Sequence, residues 1–455
     1  MKRVALVYLP YSDIIFGSEK STKGITPPLG LLYLQSYNKD FANIKVFDGE
    51  IYDSITGLIN AIKIFNPEII GVTLLTSTFP RAKEFISQFD KRITRIAGGP
   101  YATARPTEVL QHFDIAASGE AEQTLREIIQ NKPLRDIKGI YYKENNKIKK
   151  TEKREPITNL DHLPQIIWED VDLSKYQQSY ERGNFSNVGA IMTSRGCGFN
   201  CDYCCSESMY GSNVRFRSNT NIIEELETLK KNHNVKFIEF WDDTFTLGYK
   251  KRTELFTYLR KKGIHFSCNA RADTVDEECI KILTKAGCKN IFFGIESANP
   301  NTLKDLGRSM DQNKITNAFK LAKKYGLKTI GSFMFGAPNE NLASVHQTIA
   351  LAKKLNPDRV LFNIVTAHPG TKLYKRCVEE KIIPRYKVDP QKYAKEPIGV
   401  PSSCKNINRE KLQRLKFQAY KEYYVRPKFI ISQLLKCRSI TEIKTLIDLT
   451  KTYKK

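Results

Sequence analysis

A chain of 455 residues with 41% hydrophobic and 27% charged residues is long enough for two domains and too ordinary in composition for a fibrous or disordered protein. No apolar stretch approaches the ~20 residues of a membrane-spanning helix. The opening MKRVALVYLP carries too short an apolar run for a secretion signal, so a cytoplasmic protein is expected. The formal charge is +24, but the lysines are spread along the chain and form no basic run interleaved with aromatics, which argues against a nucleic-acid site.

Residues 1–152 alternate β-branched runs with helical patterns: Val4 to Leu9, Ile44 to Phe47, Ile69 to Leu75, Ile93 to Ala97 and Asp114 to Ala117. This βαβ rhythm predicts a Rossmann-like, doubly wound parallel sheet whose ligand lies across the carboxyl ends of the strands. The stretch IKGIYYKENNKIKK reads as a hairpin turning at Asn145 and Asn146. Residues 153–186 lose periodicity and collect Pro156 and Pro164, which marks a connector.

A second α/β rhythm fills residues 187–390. Its strands are Gly189 to Thr193, Phe237 to Trp241, His265 to Asn269, Asn290 to Gly294, Thr329 to Phe335 and Arg359 to Thr366. Six such units predict a partial (β/α)6 barrel with its site at the carboxyl ends of the strands. Residues 391–455 read as a basic helical C-terminal region. From 405 onward it has 14 Lys or Arg against 4 acidic residues. Its aromatics Tyr420, Tyr423, Tyr424 and Phe429 suit a cap packed on the barrel, an anionic-surface or gating role being the alternative.

All ten cysteines lie at or after position 197. In a chain without a secretion signal a tight group of them means metal or redox chemistry. The segment TSRGCGFNCDYCC places Cys197, Cys201 and Cys204 in a C-x3-C-x2-C array just after the first barrel strand. Three thiolates there can hold three irons of a [4Fe-4S] cluster and leave the fourth open for the amino and carboxylate groups of S-adenosylmethionine (SAM). A structural zinc would need a fourth ligand, and Cys205 adjoins Cys204 too closely to serve well.

With Tyr203 before its last cysteine, the array resembles the radical SAM superfamily. The segments NARAD at Arg271, FFGIESAN at Glu296 and GSFMFGAPNE from Gly331 resemble that superfamily's SAM-contacting strand ends. The resemblance implies SAM contacts at Tyr203, Asp242, Arg271, Glu296, Ser297, Phe333 and Gly336. In it Arg271 serves the carboxylate, Glu296 and Ser297 the ribose, and Phe333 to Gly336 the adenine. The plainer reading makes Arg271 and Glu296 a buried ion pair and Asp242 and Asp243 helix caps.

The first domain resembles the cobalamin-binding domain that precedes many radical SAM barrels, at PPLGLLYL, IIGVTLLTS, AGGPYATARP and SGEAEQTL. This implies corrin contacts at Thr73, Gly98, Gly99, Pro100, Ser118, Gly119 and Glu120, the glycines allowing a flat ligand close to the backbone. The D-x-H-x-x-G motif that ligates cobalt from below is missing, and His112 reads as an ordinary surface histidine, so base-off binding without a protein imidazole is expected. The alternative is a remnant domain with a docking role. A methylthiotransferase is disfavoured because the first 196 residues hold no cysteine for a second cluster.

The implied branch is that of the cobalamin-dependent methylases and the anaerobic magnesium-porphyrin cyclase. The favoured activity is methyl transfer to an unactivated carbon of a small-molecule or lipid-like substrate, with SAM cleaved to a 5'-deoxyadenosyl radical. An external one-electron reductant of flavodoxin or ferredoxin type is implied. A radical cyclase or rearrangement enzyme without methyl transfer is the first alternative, and a binding protein with a structural cluster the second.

Overall fold

The computed structural model describes residues 1–11, 25–176, 188–383 and 402–434. The first sheet contains β1 (Lys2–Tyr8), β2 (Ala42–Asp48), β3 (Ile69–Thr73), β4 (Thr94–Gly98), β5 (Ile115–Ala117), β6 (Ile140–Glu144) and β7 (Lys147–Lys150). Their order is β2-β1-β3-β4-β5-β6-β7. The first five are mutually parallel, and β6 and β7 add an antiparallel hairpin. Strands covered on both faces read as continuous apolar runs, and Val4, Ala5, Leu6 and Val7 are all buried. The chain leaves β1 in both directions, so a switch point lies between β1 and β3, with a ligand crevice beyond their carboxyl ends. The hairpin turns at Asn145 and Asn146, with φ of 50° and 60°, the left-handed values of a two-residue I′ turn.

The second sheet is formed by β8 (Val188–Ile191), β11 (Phe237–Phe240), β12 (His265–Arg271), β13 (Cys288–Glu296), β14 (Lys328–Phe335) and β15 (Arg359–Ile364). All neighbours are parallel, in the order β15-β14-β13-β12-β11-β8. A two-residue ribbon, β9 (Ser194–Arg195) with β10 (Arg215–Phe216), stands beside it. The crossover helices are punctuated in the sequence. Ser218, Asp276 and Asn341 cap their starts, and left-handed Asn234, Gly287 and Asn356 end them. Phe240, Phe266, Phe293, Phe333, Phe335 and Phe362 belong to one core.

An open barrel leaves an edge strand with unpaired backbone groups. At β15 the helix Arg409–Tyr424 covers it: the Val360 amide donates to Tyr424 Oη at 3.1 Å and the Phe362 amide to Tyr420 Oη at 3.0 Å. The aromatics of the basic C-terminal helix therefore complete the barrel. The aperiodic connector is likewise a packed strap. Trp168 is fully buried and donates its Nε1–H to Glu225 at 3.0 Å, with Ile166, Val171, Leu173 and Tyr176 in the same core. Short 3-10 turns carry Trp168 and Leu173 and punctuate the strap between them, which is why neither helix nor strand periodicity marks it. The connector's end at 186 and the barrel's end at 390 lie outside the described residues. Among the described residues no helix is long and apolar enough to cross a membrane.

Candidate active site

The cysteine loop leaves β9 at the mouth of the barrel. It is tied down on its far side by backbone bonds: the Asp202 amide donates to Leu306 O at 3.0 Å, and the Leu373 amide donates to Asp202 O at 2.7 Å. Cys197 Sγ lies 3.5 Å from Thr244 Oγ1, and Cys204 Sγ accepts from the Ser206 amide at 3.5 Å. Cys197, Cys201 and Cys204 are all free thiols with some exposure. Among the described residues no three His, Cys, Asp or Glu side chains gather at one ion position; a cubane asks instead for three separated thiolates. Burial pushes the Cys201 thiol up, while Arg308 and Arg271 pull it partly back.

The wall facing the loop is ionic. β13 is irregular between Gly294 and Glu296, and Glu296 has a φ of 66°, an uncommon backbone for a residue with a side chain. This bulge turns the carboxylate toward the cysteine loop. Glu296 Oε1 accepts from Arg308 Nη1 at 2.7 Å and from Tyr203 Oη at 3.1 Å, and Arg308 Nη1 also lies 2.9 Å from Tyr203 Oη. Burial raises the Glu296 carboxyl and the Arg308 charge opposes it. The ion partner of Glu296 is therefore Arg308, not Arg271. Arg308 follows a helix-breaking Gly307 with no periodic signal, so sequence reasoning passed over it. Its buried Nε has no hydrogen-bond partner among the described residues, leaving a donor of the kind a ligand carboxylate takes.

The other expected SAM contacts occupy different surroundings. Arg271 pairs with Asp273 at 2.8 Å and lies over the Phe199 ring at 4.0 Å, so it supports the loop from below. Asp242 is buried and accepts from the Thr193 amide at 3.2 Å, Thr193 Oγ1 at 2.7 Å and Ser194 Oγ. It anchors the chain just before the cysteines and neither caps a helix nor opens to the mouth. Asp243 bonds to Ser206 Oγ. Ser297 is fully buried against Thr348 Oγ1 at 3.1 Å, and Phe333 is fully buried beside Phe362. A Cβ on Gly336 would meet Leu412 of the C-terminal helix at 2.8 Å. These last three hold the barrel together behind the mouth, because strand ends alternate between the mouth and the packed interior.

The edge of the first sheet is divided in the same way. A Cβ at Gly98 would meet nothing within 4 Å, an open approach to the backbone at the end of β4. At Gly99, with φ +86°, it would strike Thr73 Oγ1 at 2.7 Å and Leu74 backbone at 3.1 Å. Gly99 is thus demanded by the turn, with Thr73 crowded against it, and Gly98 is the position a flat ligand can use. Pro100 starts the helix Gly99–Ala104. The Ser118 amide donates to Gly139 O at 2.9 Å, a Cβ at Gly119 would meet Met209 O of the barrel at 3.7 Å, and Glu120 is bound by Arg195 and Arg215. The SGEAE segment therefore contacts the barrel rather than an open crevice. His112 precedes β5 and meets the Phe79 ring edge-on, with centroids 6.2 Å apart. It lies at the amino end of that strand, away from the ligand edge.

These features coincide with likeness to known proteins. The radical SAM superfamily pattern matches residues 191–352 and the B12 binding domain pattern residues 20–129. An uncharacterised methyltransferase of Pyrococcus horikoshii is 32% identical over 98% of both chains. The anaerobic magnesium-protoporphyrin IX monomethyl ester cyclase of Rubrivivax gelatinosus is 27% identical over 77% of this chain and 66% of its own. The solved cobalamin-dependent SAM radical enzyme OxsB, with aqua-cobalamin and SAM bound, superposes on all of this chain and 71% of its own, with a TM-score of 0.76 at 18% identity. A first parallel sheet followed by a partial barrel is thus shared architecture, and this chain belongs to the cobalamin-binding branch of the radical SAM enzymes, with a [4Fe-4S] cluster, SAM and cobalamin as its cofactors.

Proposed function

We propose that this enzyme transfers a methyl group to an unactivated carbon of a small molecule, using an external one-electron reductant, in the cytoplasm. One observation carries the reading: the two cofactor edges meet. The helix Gly99–Ala104, which begins at the open end of β4, touches the helix Ser206–Tyr210, which follows the cysteine loop, through Thr103 Oγ1 and Met209 Sδ at 3.5 Å. A substrate in that seam would be reached from both sides. When bound, SAM at the cluster supplies a 5'-deoxyadenosyl radical and cobalamin supplies the methyl group.

In this reading Cys197, Cys201 and Cys204 hold the cluster and Cys205 does not. Arg308 takes the SAM carboxylate through the donor it leaves unmatched, with Glu296 and Tyr203 fixing its guanidinium. Arg271 and Asp242 hold the loop at its base, and Gly98 receives the corrin, with Thr73 and Gly99 shaping the turn behind it. The functional units are residues 1–152, 153–186, 187–390 and 391–455. Methylation is preferred to cyclisation because the relative that matches along its whole length is named a methyltransferase.

Anaerobically reconstituted protein is expected to form 5'-deoxyadenosine from SAM, and the Cys197, Cys201 and Cys204 triple Ala variant to form none. Wild-type formation surviving in that variant would defeat the cluster assignment. With a metabolite extract and methyl-deuterated SAM, a product heavier by the label supports methyl transfer, whereas an unlabelled rearranged product supports the cyclase reading.

A further inference from the structure

The residue before the cysteine motif is held by the other domain. Arg195 ends β9 and is followed directly by Gly196 and Cys197. Its Nη1 donates to Glu120 Oε1 at 2.8 Å and its Nη2 to Glu122 Oε1 at 2.7 Å, with all three side chains at most 5% exposed. Arg215, its antiparallel partner in β10, donates to Glu120 Oε2 at 2.9 Å. Ile157 of the connector donates its amide to the same oxygen at 2.7 Å. Burial alone would raise the Glu120 carboxyl, but Arg215 and Arg195 hold it below its ordinary value. The Tyr33 and Tyr210 rings flank the Arg195 guanidinium at 5.4 and 6.0 Å.

The carboxylates of this clamp are connected to the corrin edge. Glu120 and Glu122 follow the end of β5. The Gly119 amide beside them donates to Thr103 Oγ1 at 3.1 Å, and Thr103 belongs to the helix that begins at Gly99. A continuous set of contacts thus runs from Gly98 through Thr103, Gly119 and the two glutamates to Arg195 and Cys197. Two arginines balance two carboxylates in a nearly water-free space, so the geometry is specific. Moving one side of such a cluster without the other leaves a buried charge uncompensated.

We propose that Arg195 is a positioning residue through which the first domain sets the cysteine loop, so that cobalamin loading and SAM binding are coupled. This rests on the family's cofactors occupying the two edges described above. Coupling of this kind is reciprocal. The experiment measures SAM affinity by equilibrium dialysis under non-reducing conditions, on the full-length, cluster-reconstituted protein with and without hydroxocobalamin.

In the wild type, cobalamin should tighten SAM binding by a factor in the usual range of about 5 to 150. In Arg195→Lys, which keeps the charge and loses the fork across two carboxylates, the factor should fall to near 1, while SAM affinity without cobalamin stays close to wild type. Should Arg195→Lys fail to fold, Glu122→Gln, which leaves the Glu120 arm in place, should lower the factor partway. Hydrogen exchange of residues 195–210 should slow on cobalamin addition in the wild type and not in the variants. A wild-type factor of 1 with cobalamin bound, or variants that lose thermal stability yet keep the full factor, overturns the proposal and leaves a merely structural clamp. Absence of cobalamin uptake by the wild type would instead overturn the cofactor assignment, and the coupling with it.

Discussion

The carboxyl edges of the two parallel sheets are made by the same βα alternation and present opposite surfaces. In the first sheet β1, β3, β4 and β5 end on the uncharged Tyr8, Thr73, Gly98 and Ala117, and among its parallel strands only the edge strand β2 ends on a carboxylate, Asp48. In the second, β12 and β13 end on Arg271 and Glu296, and Asp242 stands just beyond β11, all three at most 9% exposed. The difference teaches what each edge is built to receive. A bare glycine edge offers close approach and few directional bonds, which suits a broad flat ligand. An edge crowded with paired ions orients a small charged ligand and a metal-bearing loop, at the cost of desolvating every charge it uses.

The comparison is broken hardest at Glu296. Removing it leaves the buried Arg308 charge without its partner, a change of roughly 3–5 kcal/mol in stability. Glu296→Ala is therefore expected to unfold at markedly lower temperature and to lose SAM binding, as read by calorimetry and dialysis. A variant with wild-type melting and SAM affinity would show that the ionic edge is decoration.

At the open edge the expected effect falls on binding alone. Gly98→Leu should abolish cobalamin uptake while melting close to wild type, since its side chain enters empty space. Gly99→Leu should be unstable with or without cobalamin, because its side chain meets Thr73 and Leu74 in a left-handed turn. Equal behaviour of the two variants would erase the distinction drawn between them.

The smallest effect concerns Glu340, which holds the turn after β14 by accepting from the Gly336 amide at 2.5 Å and the Ala337 amide at 3.2 Å. Burial pushes its carboxyl up to about 7, against those two amides. Its folded pKa then exceeds its unfolded one, so the folded state binds the extra proton. The stability this contributes is full below about pH 4.5 and is lost as pH rises through 7, with a slope of at most about 1.4 kcal/mol per pH unit. Glu340→Gln should flatten the melting temperature between pH 5 and 7 relative to wild type. An unchanged slope would show that Glu340 is already ionised in the fold.

Much of this was readable from the chain. Cys197, Cys201 and Cys204 stand within eight residues, so their spacing alone announces a cluster loop. The six barrel strands and the Asn145–Asn146 hairpin are likewise local patterns of apolar alternation and turn chemistry, which neighbouring residues determine together. What the sequence could not show is which charged groups meet. Glu120 and Arg195 are 75 residues apart, and neither carries a periodic signal. SGEAE therefore reads as a ligand turn by its glycine, while the fold uses its carboxylates to grip the cysteine loop.

Arg308 carries no local signal for the same reason, and Phe333 and Ser297, expected at the mouth, are fully buried. The sequence by itself determined the two sheets, their order along the chain and the place of the cysteine loop after the first barrel strand, because strand periodicity, capping and residue spacing act over a few residues. Only the tertiary structure decided the ion partners, the strap at Trp168 and the tyrosine seal on β15. Desolvation and charge pairing depend on which distant surfaces are pressed together, and no local pattern encodes that.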